Sequence, residues 1–208
     1  WTPTSTGARV SLPRGGEKLL RSTENTSRVT LGFLDAHKGE LKIKHPSEEL
    51  TLKRRETDSL GMTHARFQQT VKGVPVWGAE LGAHYDADGR LVELTSHYRE
   101  NVEDLDLVPT LDATAAQEIA KKDTLTRATD LAMSDLDIED GKSTLTVYAE
   151  SGTPKLAHRF TVWSFVDNKT PTRWAYLVDA HTGDILLSYD DLKHETGTGK
   201  GVRGDTKS

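Results

Sequence analysis

The C-terminal segment of the chain combines residue types that could perform two kinds of chemistry. Residues 199–204 read Gly-x-Gly-x-x-Gly, the spacing of a dinucleotide-binding loop, and His194-Glu195 begins like the zinc-binding helix motif H-E-x-x-H. The loop needs a following helix whose N-terminus holds the pyrophosphate, and no helical pattern follows Gly204 here. The zinc motif needs a second histidine at position 198, which is threonine. We therefore expect neither a nucleotide site nor a zinc site.

The rest of the sequence contains no recognisable catalytic or metal-binding motif. Cysteine is absent, which excludes disulfides, thiol nucleophiles and cysteine-ligated zinc. The acidic stretch 135–141 approaches a calcium loop, but its glycine comes one place late and Ile138 interrupts the ligand positions. The eight histidines are spread along the chain. We expect that the chain is not itself an enzyme and that it holds no cofactor or metal ion.

Composition argues against two classes of partner. The formal net charge is -5, whereas a nucleic-acid-binding protein needs a basic surface to neutralise phosphates. No apolar run approaches the roughly 20 residues that span a membrane. A chain of 208 residues is long enough for one large domain or for two domains of about 100 residues each.

In the first half, the hydrophobic pattern predicts a β-meander over residues 61–98. Apolar and polar residues alternate over 80–86, the period of a half-buried strand, and Gly89 allows the tight turn that follows. Residues 1–27 show little periodicity and predict an irregular lead-in. Residues 28–34 indicate a strand or a buried segment.

The second half begins after the acidic stretch 100–108 and Pro109, which predict a domain boundary. Residues 110–123 are the clearest helical segment, with Asp112 as its N-cap. A helix followed by an antiparallel meander indicates an α+β fold. The strands predicted after the helix cover residues 144–149, 156–166, 173–179 and 184–189.

The segment from Asp58 to Gly78 resembles the fungalysin/thermolysin propeptide motif. That pattern contains Asp-x-Leu-Gly-x-x-His, an aromatic residue, a glutamine pair and a Lys-Gly-Val-Pro-Val-aromatic-Gly turn. For the aromatic and proline residues, packing and turn formation are favoured over direct contact with a protease. The matching residues are Asp58, Leu60, Gly61, His64, Phe67, Gln68, Gln69, Lys72, Gly73, Val74, Pro75, Val76, Trp77 and Gly78.

Residues 110–190 resemble the PepSY domain that follows this motif in the same family. The resemblance is carried by the alanine-rich helix and by the segments 152–162 and 173–186. One departure is His158, where that family often has an aromatic residue. The residues that match the turn of the PepSY domain are Asp179, Ala180, Thr182 and Gly183.

The resemblance implies an α+β fold of two cystatin-like modules, each a helix packed on a curved antiparallel sheet, with an extended C-terminal tail. The tail looks like the opening of a mature thermolysin-type protease. The expected order is an irregular lead-in over 1–27, a fungalysin/thermolysin propeptide-type module over 28–106, a PepSY-type module over 107–192, and a processing junction with the start of the mature protease over 193–208.

The resemblance also implies a function. The chain would be the pro-region of a secreted zinc metalloprotease of the thermolysin family, acting as intramolecular folding chaperone and inhibitor. Its partner would be the catalytic domain of that protease, which would carry the zinc and calcium. The chain would be secreted or extracytoplasmic as part of an exported precursor.

The resemblance suggests how inhibition would work. Leu192, Lys193, His194 and Glu195 would run through the catalytic cleft near the zinc, and the cleaved bond would lie between Lys193 and Thr196. The new carboxylate would then remain near the zinc. His194 is either a zinc contact or a solvated linker residue.

Two other functions are compatible with the same folds. One is a free-standing PepSY-type protease inhibitor or an envelope-associated interaction module. Residues 196–205 favour the precursor, because a stand-alone module has no need for the opening of a protease. The other, an enzyme, is disfavoured by the missing zinc ligands and nucleophile motifs.

Overall fold

The structure, a computed structural model, describes the backbone of residues 8–11, 23–150, 152–192, 199–200 and 206–207, and the side chains of 25–150 and 152–192. The chain divides into two compact units. Unit 1 comprises Trp1–Pro109 and Leu145–Ala157, and unit 2 comprises Thr110–Thr144 and His158–Ser208.

Helices are few and strands are many. The helices are α1 (Thr23–Ala36), α2 (Lys38–Leu41), α3 (Pro46–Glu49) and α4 (Ala113–Arg127), with 3-10 turns at Met133–Asp135 and Glu139–Gly141. The strands are β1 (Ala8–Ser11), β2 (Leu50–Thr57), β3 (Thr63–Val71), β4 (Val74–Tyr85), β5 (Leu91–Ser96), β6 (Asp137–Ile138), β7 (Thr144–Tyr148), β8 (Lys155–Ser164), β9 (Thr172–Asp179), β10 (Ile185–Asp190), β11 (Gly199–Lys200) and β12 (Thr206–Lys207).

The sheet of unit 1 has the strand order β1-β5-β4-β3-β2, in which neighbours are antiparallel. A further strand, β7, pairs with β4 in parallel at Val76 and Val147. The Thr146 hydroxyl donates to the Pro75 carbonyl oxygen over 2.8 Å beside that pair. The α+β fold is confirmed, but the sheet is mixed and not purely antiparallel. Local periodicity does not reveal this pairing, because parallel strands are joined only by long crossovers.

Helix α1 corrects the interpretation of residues 28–34. Thr26, Thr30 and Leu34 are four residues apart and fully buried, so the burial period is that of a helix and a strand here is wrong. The helix also begins inside the segment predicted to be irregular. Gly32 and the β-branched residues weaken its helix propensity, but the packing of one buried face outweighs that preference.

The predicted meander of unit 1 is confirmed as β3, β4 and β5. Leu81, Ala83 and Tyr85 are at most 1% exposed and face the core under α1. Gly89 has φ 79° in the turn after β4, as expected. Strand β2 was not predicted; its Lys53-Arg54 pair is exposed, so its hydrophobic alternation is weak.

Unit 2 packs α4 against the sheet formed by β8, β9 and β10. The Asp112 carboxylate accepts a hydrogen bond from the Ala115 N–H over 2.8 Å, which confirms the predicted N-cap. Ala116 and Ala120 are fully buried on the sheet-facing side. The four predicted strands are confirmed with ends shifted by one or two residues. Strand β9 lies between β8 and β10, and the short β6 pairs with β8.

Each unit joins its long helix to its sheet through a buried threonine–tyrosine hydrogen bond. In unit 1, Thr30 bonds to the Tyr85 hydroxyl. In unit 2, Thr124 Oγ1 lies 3.0 Å from the hydroxyl oxygen of Tyr176, which donates to Asp123 over 2.8 Å. The Thr30 hydroxyl donates to the Thr26 carbonyl oxygen, so Tyr85 donates to Thr30. Because Tyr176 donates to Asp123, the single Thr124 proton is shared between Tyr176 and the Ala120 carbonyl oxygen. A buried hydroxyl without such partners would destabilise the core.

We predict that Tyr176→Phe lowers the melting temperature of unit 2 by about 4–8 °C. The substitution removes about 1 kcal/mol of hydrogen bonding, and a loss of that size has this effect in a domain of about 60–100 residues. The control Tyr189→Phe, at a partly exposed residue, should leave the melting temperature unchanged.

The comparison of the wild type with Tyr176→Phe also tests the titration of the Tyr176 hydroxyl. Burial raises the pKa of Tyr176, and its bond to Asp123 adds to the rise. A raised folded pKa stabilises the fold fully below the unfolded pKa of about 10 and loses that effect as the pH rises further. The stability difference between wild type and Tyr176→Phe should therefore shrink above pH 10 in urea titrations. A difference that stays constant there would contradict this assignment.

Candidate functional site

The first part of the propeptide-like motif forms a turn clipped by one carboxylate. Asp58 Oδ1 accepts hydrogen bonds from the N–H groups of Leu60 and Met62 at 2.9 and 3.0 Å. Gly61 has φ 79° in this turn, a conformation that favours glycine. Asp58 Oδ2 accepts from His64 Nε2 over 3.2 Å, and this bond is the main reason why the pKa of Asp58 is lowered. The aspartate, glycine and histidine of the motif therefore act on one turn.

The two glutamines of the motif satisfy backbone groups. Gln69 is 1% exposed, and its amide bonds both ways with Arg99: Nε2 donates to the carbonyl oxygen and Oε1 accepts from the N–H, each over 2.8 Å. Gln68 Nε2 lies 2.8 and 2.9 Å from the carbonyl oxygens of Val76 and Ala79. The two glutamine side chains thus provide hydrogen bonds to backbone groups near the point where the register between β3 and β4 shifts.

The remaining motif residues build the β3–β4 hairpin and its bulge. Lys72 and Gly73 both have positive φ, at 48° and 87°, as a tight hairpin turn requires. Phe67 and Val76 are fully buried, whereas Pro75 is exposed and Trp77 is half-buried. Gly78 has φ 67°, and a Cβ there would lie 3.2 Å from a carboxylate oxygen of Glu150.

His64 and His84 lie side by side on adjacent strands. They are on the face of the unit 1 sheet opposite the buried side chains of Ala83 and Tyr85. Their Nδ1 atoms are 2.8 Å apart, within hydrogen-bond distance, and His64 Nε2 donates to Asp58 from the other side of the ring. A polar cavity of about 310 Å³ adjoins them, with Gly82 providing the gap in the row of side chains. His64 and His84 are far apart in the sequence. Their alternate positions on two strands that pair are the signal from which their contact could have been predicted.

These side chains do not assemble into a metal centre. Over the part of the chain whose side chains are described, no group of three or more histidine and acidic residues could hold a metal ion. The same residues include no helix that is long and apolar enough to cross a membrane.

The turn of unit 2 that contains Asp179, Ala180, Thr182 and Gly183 organises the start of α4. Asp179 is 3% exposed, and its carboxylate accepts from the N–H groups of His181 and Thr182 at 2.8 and 3.1 Å. Gly183 closes the turn with φ 79°. The carbonyl oxygen of Ala180 accepts from the Thr110 and Leu111 N–H groups at 3.0 and 2.8 Å. The turn therefore fixes the residues that lead into the helix.

His158, at the position where the resembled family often has an aromatic residue, has a structural role. His158 is 5% exposed, and its Nε2 donates to the Leu111 carbonyl oxygen over 2.8 Å. Its Nδ1 lies 3.2 Å from the Ser143 hydroxyl, which can donate to it. The imidazole thus ties β8 to the residue before the N-cap of α4, a connection that a purely apolar ring could not make.

Only the first residue of the predicted processing segment lies in the described part of the chain. The Leu192 N–H donates to Asp190 Oδ1 over 2.9 Å, and its half-buried side chain lines a groove of unit 2. Lys193, His194, Glu195 and Thr196 lie outside the described residues, as does most of the predicted extended tail.

We predict that Gln69→Leu lowers the free energy of unfolding by about 2 kcal/mol, since two hydrogen bonds are lost and two backbone groups of Arg99 lose their partner. Urea unfolding measures the change. Gln117→Leu, at a half-buried position of α4, is the control and should change it by less than about 0.5 kcal/mol. Equal effects of the two substitutions would contradict the role of Gln69.

For the turn, we predict that Asp58→Ala speeds amide hydrogen exchange at Leu60 and Met62 about fivefold to tenfold, because their acceptor is lost. Asp58→Asn keeps an acceptor oxygen without the charge and should have a smaller effect. Because the pKa of Asp58 is lowered from 3.8, its carboxylate stabilises the turn above that value and ceases to do so as the pH falls through the folded pKa. After correction for intrinsic exchange, the wild type should approach Asp58→Asn in strong acid, because the protonated carboxyl also keeps an acceptor oxygen without the charge. A difference between these two proteins that is independent of pH would contradict this.

Known proteins resemble this chain over the same motif and over most of its length. Residues 48–98 match the Fungalysin/Thermolysin Propeptide Motif family. Bacillolysin from Brevibacillus brevis is 30% identical over 195 residues, which cover 86% of this chain and 34% of that protein. Thermolysin from Alicyclobacillus acidocaldarius subsp. acidocaldarius is 30% identical over 206 residues, or 91% of this chain and 37% of that protein. The chain thus spans about a third of the length of these curated relatives.

Among solved structures, the C-terminal domain of YpeB from Bacillus megaterium covers 88% of this chain and 70% of its own, with a TM-score of 0.39 and 16% identity. That score is too low to support a shared fold. The propeptide motif and the long sequence matches, in contrast, confirm the resemblance to a thermolysin-family propeptide. The chain is a thermolysin-family propeptide that carries its fungalysin/thermolysin motif at residues 48–98.

Proposed function

We propose that the chain is the pro-region of a thermolysin-like metalloprotease precursor, in which it assists folding of the catalytic domain and inhibits it. The observation that carries the proposal is the propeptide motif at residues 48–98, within a chain that is 30% identical to a bacillolysin over 195 residues. The zinc and calcium would belong to the catalytic domain, and the chain would be exported as part of the precursor, making it secreted or extracytoplasmic.

The two modules of such a pro-region would be cystatin-like. The fungalysin/thermolysin propeptide-type module would span residues 28–106 and the PepSY-type module residues 107–192, with an irregular lead-in before them and the junction at 193–208. Two features support this organisation: each unit packs one long helix on a sheet, and each uses a buried threonine–tyrosine bond to do so.

Folding assistance follows from linkage. A partner that binds the native catalytic domain but not its unfolded chain stabilises the native state, and a native-like transition state is stabilised in the same way. Covalent connection in one precursor gives a high effective concentration of the partner. A rigid surface is required, and the satisfied backbone groups around Gln68 and Gln69 provide one in unit 1.

Inhibition would use the segment after β10. The Leu192 N–H donates to Asp190 Oδ1, and Leu192 is the last described residue before the proposed junction. Leu192, Lys193, His194 and Glu195 would run through the catalytic cleft near the zinc as an extended, substrate-like segment, and the cleaved bond would lie between Lys193 and Thr196. The new carboxylate would stay near the zinc as a product-like inhibitor. His194 would be either a zinc contact or a solvated residue of the linker.

We predict that the purified chain inhibits peptide hydrolysis by the mature protease of the same precursor and raises its yield on refolding from denaturant. Removal of residues 193–208, which leaves β10 intact, should weaken inhibition by a factor of 10 or more, on the order of 1.4 kcal/mol. It should not change the melting temperature of the chain. His194→Ala separates the two roles of that residue, because only a zinc contact would make this substitution weaken inhibition.

Three outcomes decide between the functions. Inhibition together with improved refolding supports the pro-region. Inhibition without any effect on refolding favours the free-standing inhibitor. No effect on either activity or refolding yield contradicts both.

A further inference from the structure

A groove in unit 2 exposes two aromatic side chains beside the start of the predicted junction. Trp163, near the end of β8, is 38% exposed, and Phe165, just after it, is 77% exposed. The groove has a volume of about 400 Å³, and Leu192 forms part of its wall. Large apolar side chains grouped on a surface mark interaction sites more often than single exposed ones do.

Two buried hydroxyls in the same groove lack a hydrogen-bond partner. Ser164 and Thr172 are 3% and 8% exposed and line the groove. Among the described residues, their Oγ atoms and Arg99 Nε are the buried side-chain polar atoms without a partner. Buried polar groups are nearly always paired, so these two hydroxyls are available to a water molecule or to a polar group of a partner that enters the groove.

The rim of the groove is charged. Arg173 binds Glu139 with a nitrogen–oxygen distance of 2.8 Å and also binds Asp191. The groove therefore has an apolar centre, two free hydroxyls and a polar rim, which is the arrangement found at the centres of protein interfaces.

We propose that this groove is the docking surface for the catalytic domain of the same precursor. An apolar side chain of that domain enters between Trp163 and Phe165, and polar groups beside it pair with the hydroxyls of Ser164 and Thr172. This inference rests on the proposed function and assigns to it a specific surface, which adjoins the segment that would enter the catalytic cleft at Leu192.

The position of Leu192 selects this occupant. Leu192 lies in the wall of the groove and is the last described residue before the predicted junction. Under the proposed function, a catalytic domain joined at that junction begins close to the groove and is present at high effective concentration. The chain's own continuation is a poor alternative. Residues 193–208 contain one large apolar side chain, that of Val202, among glycines, charged residues and small polar residues, which cannot fill an aromatic groove.

The test uses the full chain and the zinc- and calcium-loaded catalytic domain of the same precursor, made inactive by replacing the glutamate of its H-E-x-x-H motif with glutamine. Isothermal titration calorimetry gives the Kd. Phe165→Ser should raise the Kd tenfold or more, because truncation of a central aromatic anchor has that effect. Leu60→Ser is the matched control: Leu60 is 76% exposed in unit 1, and its Kd should stay within twofold of the wild type. Both variants should keep the wild-type melting temperature.

Thr172→Val tests the hydroxyl. It keeps the shape of the side chain and removes the unpaired group, so the melting temperature of the free chain should stay the same or rise. The Kd for the catalytic domain should nevertheless rise about fivefold to tenfold, because the partner loses a hydrogen bond. A role confined to the stability of unit 2 would not produce these opposite effects.

The outcomes separate the inference from the proposed function. If the wild-type chain does not bind the catalytic domain, both fail. If it binds and inhibits, but Phe165→Ser and Thr172→Val bind as tightly as the wild type, the docking surface is wrong and the proposed function stands. A wild-type dimer in analytical ultracentrifugation that Phe165→Ser dissociates, with no change in Kd, would assign the groove to a second copy of the chain and overturn the inference.

Discussion

A buried hydrogen bond between a helical threonine and a strand tyrosine holds the helix against the sheet in each unit. Thr30 bonds to Tyr85 in unit 1, and Thr124 bonds to Tyr176 in unit 2. The hydroxyls lie where water cannot reach them, so the helix must sit at the one height and rotation at which both are satisfied. The hydrophobic contacts around them are less directional. This requirement fixes the placement of α1 and α4, and the strands that carry the motifs are placed with them.

The propeptide motif specifies backbone geometry more than chemistry. Asp58 clips a turn, Gln68 and Gln69 satisfy backbone groups where the register shifts, and Gly73 and Gly78 adopt φ values that favour glycine. Each of these residues solves a local problem of hydrogen bonding or conformation. A chain whose recognisable residues serve its own fold is suited to present a rigid surface to a partner, which agrees with the proposed role.

Partner recognition then has to come from residues outside the motif. The groove with Trp163 and Phe165 is the part of unit 2 where the fold leaves apolar surface and hydroxyls unsatisfied. The groove could not be predicted from a motif, because the sequence does not show whether an aromatic side chain is exposed or buried. The neighbours of Ser164 and Thr172 decide whether their hydroxyls are paired, and those neighbours come from distant parts of the chain.

Elements whose signals are local could be predicted from the sequence. The alternation in β4, the Asp112 cap of α4 and the turn glycines depend on residues a few places apart, so periodicity and turn chemistry were sufficient to predict them. The propeptide motif was identified by its resemblance to a known family. Features that depend on burial and on distant pairing emerged only from the folded structure: residues 28–34 as helix, β7 parallel to β4, His64 beside His84, and the aromatic groove. The physical reason is that local propensities differ by less than 1 kcal/mol or so per residue. The burial of a side chain and the pairing of a polar group contribute more, and both are set by residues that meet only when the chain folds.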